Sequence, residues 1–214
     1  NSSGDITILN TGSLELIDLP GWGYAVNNLG GAVDITASSP LTVTDNVLAL
    51  NDITLYANSG DTGDLIINAN IQSSSGDVYL WADNDILYNS GTTSSASYIE
   101  LYADRDAAGL GGAITQSSGT IGTGGEVIDL YAENDITVSD IQGNVIRVWS
   151  NSGLISDYGS TSITGNDLWL YADTGINLNT AVSRLFASNN SSGDITILNT
   201  GSLELIDLPG WGYA

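Results

Sequence analysis

Short stretches in which apolar and polar residues alternate recur along the whole chain. The clearest is ITLYA (53–57), with apolar residues first and third, an aromatic residue fourth and a small residue fifth. Related runs occur at VYLWA (78–82), IELYA (99–103), IDLYA (128–132), IRVWS (146–150), LWLYA (168–172) and SRLFA (183–187). Alternation with a period of two is typical of β-strands with one buried face, and no stretch of helix length shows a 3.6-residue period. The pattern therefore predicts short strands throughout.

The spacing of these runs predicts how the strands stack. Two weaker copies, LELID (14–18) and VDITA (33–37), come first, and LELID recurs at 203–207. The intervals range from 15 to 29 residues and average 21, with Asn, Asp, Gly, Ser and Thr clusters between the runs. Such clusters favour tight turns, and a coil of about 20 residues with two or three short strands is typical of a β-solenoid. Parallel crossovers are usually right-handed, so we predict an all-β, right-handed parallel β-helix. A β-sandwich would explain the strands and turns but not the regular recurrence.

The first 25 residues are repeated later in the chain without a change. Residues 1–25 and 190–214 are identical, at an offset of 189 residues. Such identity predicts a tandem array, with one unit over 1–189 and the start of the next over 190–214. An engineered overlap is the alternative. The run spacings give nine coils for each unit, which corresponds to an axial advance of about 43 Å at a rung spacing of about 4.8 Å.

Alternation also predicts which side chains face outward. The first, third and fifth positions of each run are expected inside, and the second and fourth outside. We refer to the aromatic fourth positions as the predicted ladder: Tyr56, Trp81, Tyr102, Tyr131, Trp149, Tyr171 and Phe186. A stripe of this length indicates an interaction surface, on which a second solenoid would lie or a polysaccharide would stack its sugar faces. Lateral packing of a solenoid is the slightly favoured interpretation, and rings that only shield the sheet are the structural alternative.

The outward second positions predict two ion pairs. Arg147 falls one coil from Asp129, and Arg184 falls one coil from Glu204. Exposed pairs of this kind contribute about 0–1 kcal/mol each. They would also oppose slippage of the strands by favouring one register.

Composition narrows the possible functions. The chain has 25 acidic residues and 3 basic ones, a net charge of −22, and neither Cys nor His. Such a surface repels nucleic acid and anionic lipid, and no apolar run is long enough to insert into a membrane. Without Cys or His, the chain has no catalytic thiol, no imidazole base and no Cys or His ligand for zinc. Its three basic residues are all Arg, which also excludes a Schiff-base lysine. We therefore expect no enzyme and no cofactor.

Acidic residues in the turns offer oxygen ligands for weak Ca²⁺ binding. The candidates form three groups along the chain: Asp61 and Asp64, Asp83 and Asp85, and Asp104 and Asp106. Carboxylate oxygens suit Ca²⁺, but none of these segments matches an EF-hand loop or a GGxGxDxUx repeat. Solvated turn residues are the favoured alternative. If cations do bind, the dense negative charge predicts that bundling of filaments depends on them.

The runs and their flanking turns resemble a known group of proteins. The LYA, LWA and LFA strands, together with ADNDI (82–86), AENDI (132–136) and ADTGI (172–176), are similar to the repeats of filamentous-haemagglutinin-type exoproteins. These are large bacterial surface proteins with β-helical shafts. The resemblance implies an extracellular or cell-surface location and a role as an adhesin, fibre or matrix component. No catalytic residue is carried over, because such shaft repeats have no catalytic motif.

Open strand edges support a similar function independently. A β-helix segment has an unpaired strand at each end, which another strand can join. We therefore predict a structural extracellular fibre or shaft whose main partner is itself, end to end and side by side. The alternative is an adhesin or glycan-binding module that uses the predicted ladder to hold polysaccharide.

Overall fold

The computed structural model describes residues 4–106, 111–159 and 163–207. Over these ranges the chain is almost entirely β-structure, apart from a single 3₁₀ turn at Gly60–Thr62. None of the described segments forms a helix that is long and apolar enough to cross a membrane. In chain order, the strands are β1 (Ile6–Asn10), β2 (Leu14–Leu16), β3 (Val26–Asn28), β4 (Val33–Ala37), β5 (Leu41–Val43), β6 (Val47–Ala49), β7 (Ile53–Ala57), β8 (Leu65–Ile67), β9 (Ile71–Ser73), β10 (Val78–Ala82), β11 (Ile86–Tyr88), β12 (Thr92–Ser94), β13 (Tyr98–Ala103), β14 (Ile114–Gln116), β15 (Thr120–Ile121), β16 (Val127–Ala132), β17 (Ile136–Val138), β18 (Asp140–Ser150), β19 (Ile155–Asp157), β20 (Ile163–Ala172), β21 (Ile176–Asn189), β22 (Ile195–Asn199) and β23 (Glu204–Leu205).

The strands stack in three parallel columns that form the faces of a solenoid. β1 pairs with β4, β2 with β5 and β3 with β6, and the same step continues along the chain. The long face contains β1, β4, β7, β10, β13, β16 and the C-terminal parts of β18, β20 and β21. The second face begins with β2, β5 and β8, and the third face begins with β3, β6 and β9. The described residues thus make a right-handed parallel β-solenoid of about eight turns, which confirms the predicted fold class.

Aliphatic side chains fill the interior at the positions that the alternation predicts. Ile53, Leu55 and Ala57 in β7 are fully buried, while Thr54 and Tyr56 between them face outward. β10 has the same burial pattern, so residues of one type stack on each other from coil to coil. Each buried Leu or Ile side chain contributes about 1.5–3 kcal/mol. These stacks are the main source of the stability of the solenoid.

Buried polar side chains next to the third face bond to groups of their own coil and of adjacent coils. The Tyr88 hydroxyl group lies 3.1 Å from the Thr93 Oγ1 atom and donates to the Thr120 carbonyl oxygen at 3.1 Å. Burial raises the pKa of Tyr88 to about 12, so the phenol stays neutral and can donate. The buried Gln116 side chain donates to the carbonyl groups of Gly119 and Asp140 at 3.0 and 2.8 Å. The corners beside the third face are therefore held by bonds between successive coils.

The rung of the long face that β21 forms differs from the predicted alignment by two residues. The run spacing placed Phe186 opposite Tyr171, as the last member of the predicted ladder. The structure instead pairs Phe186 with Trp169 and Ser188 with Tyr171. Phe186 therefore lies in the neighbouring outward column, and the prediction for this residue is wrong.

Packing and charge explain this shift. In the observed register Leu185 lies opposite Leu168, and Arg184 lies opposite the acidic Asp167. The predicted register would have placed Ser183 opposite Leu168 in the apolar interior. A shift of two residues leaves every side chain facing the same way, so alternation alone cannot distinguish the two registers.

The two identical segments pair on different faces of the solenoid. Strand β1 (ITILN) pairs with β4 on the long face, whereas its copy, β22, pairs with the first part of β21 on the second face. Strand β2 lies on the second face against β5, whereas the copied residues Glu204 and Leu205 lie on the long face. The prediction that LELID lies on the long face is thus confirmed for 204–205 and wrong for 14–16.

The described residues make about eight turns, and the spacing of the runs predicts nine coils for each 189-residue unit. The first copy forms a coil of its own, in which β1, β2 and β3 occupy the three faces in order. Both ITILN and LEL carry apolar residues at alternate positions, so either run can fill the inward positions of a rung. The neighbouring coil decides which face each of them takes.

A buried carboxylate holds the corner that leads into β16. Glu126 accepts hydrogen bonds from the Thr123 amide and hydroxyl groups, at 3.0 and 2.7 Å, and from the Gly125 amide at 2.9 Å. Burial alone would raise the pKa of Glu126, but these bonds to the charged form lower it below its ordinary value. The ionised carboxylate therefore stabilises the folded state.

We expect Glu126→Gln to lower the free energy of unfolding by about 1–3 kcal/mol at pH 7, because the amide group that replaces Oε2 cannot accept from the Gly125 amide and the bonds to the remaining oxygen lose their charge. The pKa of Glu126 is lowered by folding, so its contribution is present above its ordinary pKa and is lost as the pH falls through its folded value. The difference between wild type and variant should therefore shrink from pH 7 to pH 3, as measured by urea unfolding. Glu15→Gln, at an exposed position, is the control and should change little. A difference that stays constant with pH would contradict this role.

Candidate functional site

Six aromatic side chains form a continuous outward column on the long face. Each lies opposite the next in the strand register, and we call them the aromatic column: Tyr56, Trp81, Tyr102, Tyr131, Trp149 and Tyr171. The ring centroids of Tyr56 and Trp81 are 6.1 Å apart in an edge-to-face arrangement. Trp149 and Tyr171 stack at 4.4 Å with an interplanar angle of 24°. The structure therefore brings together all of the predicted ladder except Phe186.

A second outward column lies beside the first, two residues earlier in each strand. In register order it contains Tyr79, Glu100, Asp129, Arg147, Trp169 and Phe186. It begins with one aromatic residue, continues through charged residues and ends with two aromatic residues. The long face is therefore aromatic across both columns at β10, with Tyr79 and Trp81, and at β20, with Trp169 and Tyr171.

The charged part of the second column is centred on Asp129. Its carboxylate accepts hydrogen bonds from the Arg147 Nε and Nη2 atoms at 2.5 and 2.6 Å, which confirms this predicted pair. It also accepts a bond from the Tyr98 hydroxyl group at 2.8 Å. Burial of Tyr98, together with the bond to Asp129, raises the pKa of this tyrosine well above its usual range. Arg147 is thus anchored at the edge of the aromatic column.

The second predicted pair forms with a different partner. Arg184 lies opposite Glu204 in the register, as expected, but its guanidinium group binds Asp167 on the preceding coil. The Arg184 Nε atom lies 2.6 Å from Asp167 Oδ1, and Nη2 bonds to the other oxygen. Arg184 binds Asp167 because the two-residue shift of β21 brings these two residues directly opposite each other.

Arg105 covers the first half of the aromatic column. Its guanidinium carbon lies 4.2 Å from the centroid of the Trp81 ring and 5.9 Å from the rings of both Tyr56 and Tyr102. An arginine over aromatic faces is attracted by the negative potential of the rings. Sequence reasoning missed this contact. The available signal was an Arg in the turn that directly follows the IELYA strand.

A groove lies over the second half of the aromatic column. It has a volume of about 460 Å³ and is lined by the aromatic rings of both columns, by Arg147 and by the polar residues Ser188, Asn189 and Asn190. A neighbouring cavity of about 340 Å³ extends back towards Tyr102. Tyr131 and Trp149 line both of them. The two cavities therefore lie next to each other along the long face.

The residues that line the groove are Tyr131, Arg147, Val148, Trp149, Trp169, Leu170, Tyr171, Phe186, Ser188, Asn189 and Asn190. Trp169 and Phe186 come from the second column. The alternation predicts Trp169 at an outward second position of the Tyr171 strand, whereas it places Phe186 opposite Tyr171 and not opposite Trp169. The groove depends on the same two-residue shift that moves Phe186 away from Tyr171.

The candidate calcium ligands mostly bind groups of the protein itself. Asp83 accepts a hydrogen bond from the Tyr56 hydroxyl group at 2.5 Å and from the Gly60 amide at 3.2 Å. Asp64 accepts bonds from the Asn84 side-chain amide at 2.6 Å and from the Asp85 main-chain amide at 3.3 Å. These two carboxylates thus connect successive coils.

The remaining candidates are spread around the same corners. Asp85 accepts hydrogen bonds from the amides of Gly112 and Ala113, whereas Asp61 and Asp106 are exposed. Asp104 is nearly buried and has a left-handed backbone, with φ of 62°. Among the residues that the structure describes, no group of three or more acidic side chains is arranged to hold a metal ion. Calcium binding stays a prediction.

Aspartates that precede strands have a structural role that the sequence analysis did not assign. Asp52 accepts a hydrogen bond from the Asp77 amide at 2.9 Å, and Asp135 accepts one from the Leu154 amide at 2.8 Å. Each donor lies one coil further along the chain. The signal was present in the recurring Asn-Asp-Ile triplet, in which the acid directly precedes an inward apolar residue. Part of the high negative charge therefore serves to join the coils.

The resemblance to filamentous-haemagglutinin-type exoproteins rests on the strand and turn motifs together with the solenoid fold, since no family model, curated protein or solved structure matches this chain.

Proposed function

We propose that this chain is a segment of an elongated structural shaft, at the cell surface or outside the cell, that extends by adding coils end to end. The single observation that supports this most directly is the nature of its terminal rungs. Among the residues that the structure describes, β1 pairs with β4 and β23 pairs with β21, and each of these strands has a second edge on which a further parallel strand can pair. Such edges are templates for another parallel strand.

The distribution of exposed apolar side chains supports the same function. Of the thirteen large hydrophobic side chains that are exposed among the described residues, eleven lie within residues 8–29 or 195–205. Leu9 and Leu205, for example, are 79% and 77% exposed. Leu205 lies opposite the buried Leu185, in the inward column, so a further coil stacked on this rung would cover it and stabilise both partners.

The charge distribution favours growth along the axis. The chain has a net charge of −22, and aspartates at the corners bind amides of the next coil. Two shafts side by side would repel each other, whereas stacked coils would gain hydrogen bonds across the new rung. The resemblance to bacterial β-helical shafts supports the extracellular location and the structural function.

We expect the 214-residue chain to form rods whose length increases with protein concentration and with salt, because salt screens the negative charge. The double variant Leu198→Lys and Leu205→Lys places cationic side chains on an exposed edge, where lysine blocks strand addition. The length of the rods that this variant forms should not increase with protein concentration or with salt. Negative-stain electron microscopy and sedimentation velocity would measure both results.

Tyr158→Lys is the matched control, since this side chain is also exposed but lies between β19 and β20, away from the terminal rungs. Rods of the Tyr158→Lys variant should lengthen with protein concentration and with salt, as the wild-type rods do. Wild-type rods of a single length at every concentration and salt would exclude end-to-end growth. Fibre diffraction of the rods should show the rung spacing of about 4.8 Å.

A further inference from the structure

We infer that the groove over Trp149, Tyr171, Trp169 and Phe186 binds a neutral glycan. This binding site is independent of the proposed shaft function, because it lies on the side of the solenoid and not at its terminal rungs. The proposed site includes only the second half of the aromatic column, because Arg105 covers the rings of the first half.

The shape of the groove suits a small, flat ligand. Its volume of about 460 Å³ lies within the range of roughly 300–1,000 Å³ that is typical of small-ligand sites. Trp149 and Tyr171 stack face to face at 4.4 Å, so their facing sides cover each other and only the outer faces and edges of the pair can contact a ligand. Trp169 and Phe186 lie opposite each other in the adjacent column and provide a second aromatic surface.

The chemistry of the lining matches a sugar. A pyranose ring has apolar C–H faces, which stack on aromatic rings, and hydroxyl groups around its edge. Ser188, Asn189 and Asn190 line the same groove. The Asn189 amide already donates to the carbonyl groups of Ser192 and Gly193, and the Asn190 amide donates to Asp173 at 3.3 Å. The Ser188 hydroxyl group can both donate and accept, and the second hydrogen of the Asn190 amide can donate to a sugar. An apolar surface with a few polar groups at its border is the usual arrangement in ligand sites.

Charge indicates that the sugar is neutral. Arg147 is the only basic residue in the groove, and its Nε and Nη2 atoms are already bonded to Asp129. The groove therefore offers little net positive charge to a uronic or sulfated sugar, and the net charge of −22 repels such polymers. A second copy of the chain would meet the same repulsion, so we commit to a neutral glycan as the occupant.

The cavity next to the groove suggests that the ligand is a chain of sugars. The second cavity shares Tyr131 and Trp149 with the groove and continues along the long face towards Tyr102. Asn151 provides a further amide in its wall. A linear oligosaccharide could lie along the two cavities, with its rings over successive rungs.

The test uses the 214-residue chain and three soluble probes: cellohexaose, maltohexaose and polygalacturonate. We expect one or both neutral hexasaccharides to bind in isothermal titration calorimetry and to change the tryptophan fluorescence, and we expect no binding of polygalacturonate. The double variant Trp149→Ala and Tyr171→Ala should bind about tenfold more weakly or not at all, because it removes the stacked pair.

Two further variants separate stacking from folding. Trp149→Phe with Tyr171→Phe keeps two aromatic rings and should retain most of the affinity, even if the alanine variant proves unstable. Trp81→Ala, in the half of the column that Arg105 covers, is the matched control and should leave binding unchanged.

Several results would overturn the inference. Lack of binding of both neutral probes by the wild type, or equal binding by the wild type and a folded alanine variant, would exclude a glycan site at this groove. Preferential binding of polygalacturonate would exclude a neutral ligand. Loss of lateral self-association in the alanine variant, without any sugar binding, would assign the groove to contact between copies of the chain. None of these results depends on whether the chain forms end-to-end rods.

Discussion

Replacing Asp129 by alanine is expected to lower the free energy of unfolding by about 3 kcal/mol, at the lower end of the range for breaking a buried ion pair. Asp129 is only 2% exposed and accepts bonds from Arg147 and Tyr98. Without it, the guanidinium group loses its partner and the Tyr98 hydroxyl keeps only its bond to Glu100. The effect stays near 3 kcal/mol because the Arg147 side chain remains 38% exposed and water can solvate part of its charge.

Asp167→Ala is the matched control for this prediction. It also removes a carboxylate that binds an arginine on the next coil, but both side chains of that pair are more exposed than those of Asp129 and Arg147. We expect a loss of about 1 kcal/mol for this variant. Urea unfolding followed by circular dichroism at pH 7 would measure both. A loss for Asp129→Ala that is equal to or smaller than that for Asp167→Ala would contradict a central role for Asp129.

Replacing Leu101 by alanine should lower the free energy of unfolding by about 2–5 kcal/mol, as for other fully buried leucines. Leu101 is completely buried in β13 and stacks between Leu80 and Leu130 of the adjacent coils. The neighbouring rungs are hydrogen-bonded in fixed positions, so they cannot move inward to fill the cavity. Part of the contact between successive coils is therefore lost on both sides.

In a solenoid, a weakened central rung affects mainly its neighbours, since each coil contacts only the coils beside it. We expect amide hydrogen exchange in Leu101→Ala to become faster first in β10, β13 and β16. Leu205→Ala is the control, because Leu205 is exposed on the last described rung, and its change should stay within about 0.5 kcal/mol. A Leu101 variant as stable as this control would show that the interior stack contributes little.

Interior packing and the functional surface belong to the same strands. In β16, for example, Leu130 faces the interior while Asp129 supports Arg147 beside the groove. The rigid stack of coils thus fixes the spacing of the aromatic rings on the outside. The position of the aromatic rings therefore depends on the same hydrogen-bonded rungs that bury the aliphatic residues.

Much of this architecture could be predicted from the sequence because the alternation is so regular. Runs such as ITLYA (53–57) contain apolar residues at every second position, and this period of two determines both the strand and its inward face. Regular recurrence of the runs also predicted the parallel pairing, including the contact between Arg147 and Asp129. The aromatic column from Tyr56 to Tyr171 follows directly from these two patterns.

Other features depend on contacts between coils, which alternation does not specify. Registers two residues apart bury the same faces, so the observed position of Phe186 is selected by Leu168 and Asp167 on the preceding coil. The same reason explains why one 25-residue sequence pairs on different faces at 1–25 and 190–214, although it has the same local preferences in both places. Arg105 over Trp81 and the groove beside Trp149 likewise require side chains from different coils. The sequence by itself therefore determined the strands, their inward faces and the solenoid, and the tertiary structure decided the register and the binding surface, because only neighbouring coils distinguish between registers of equal alternation.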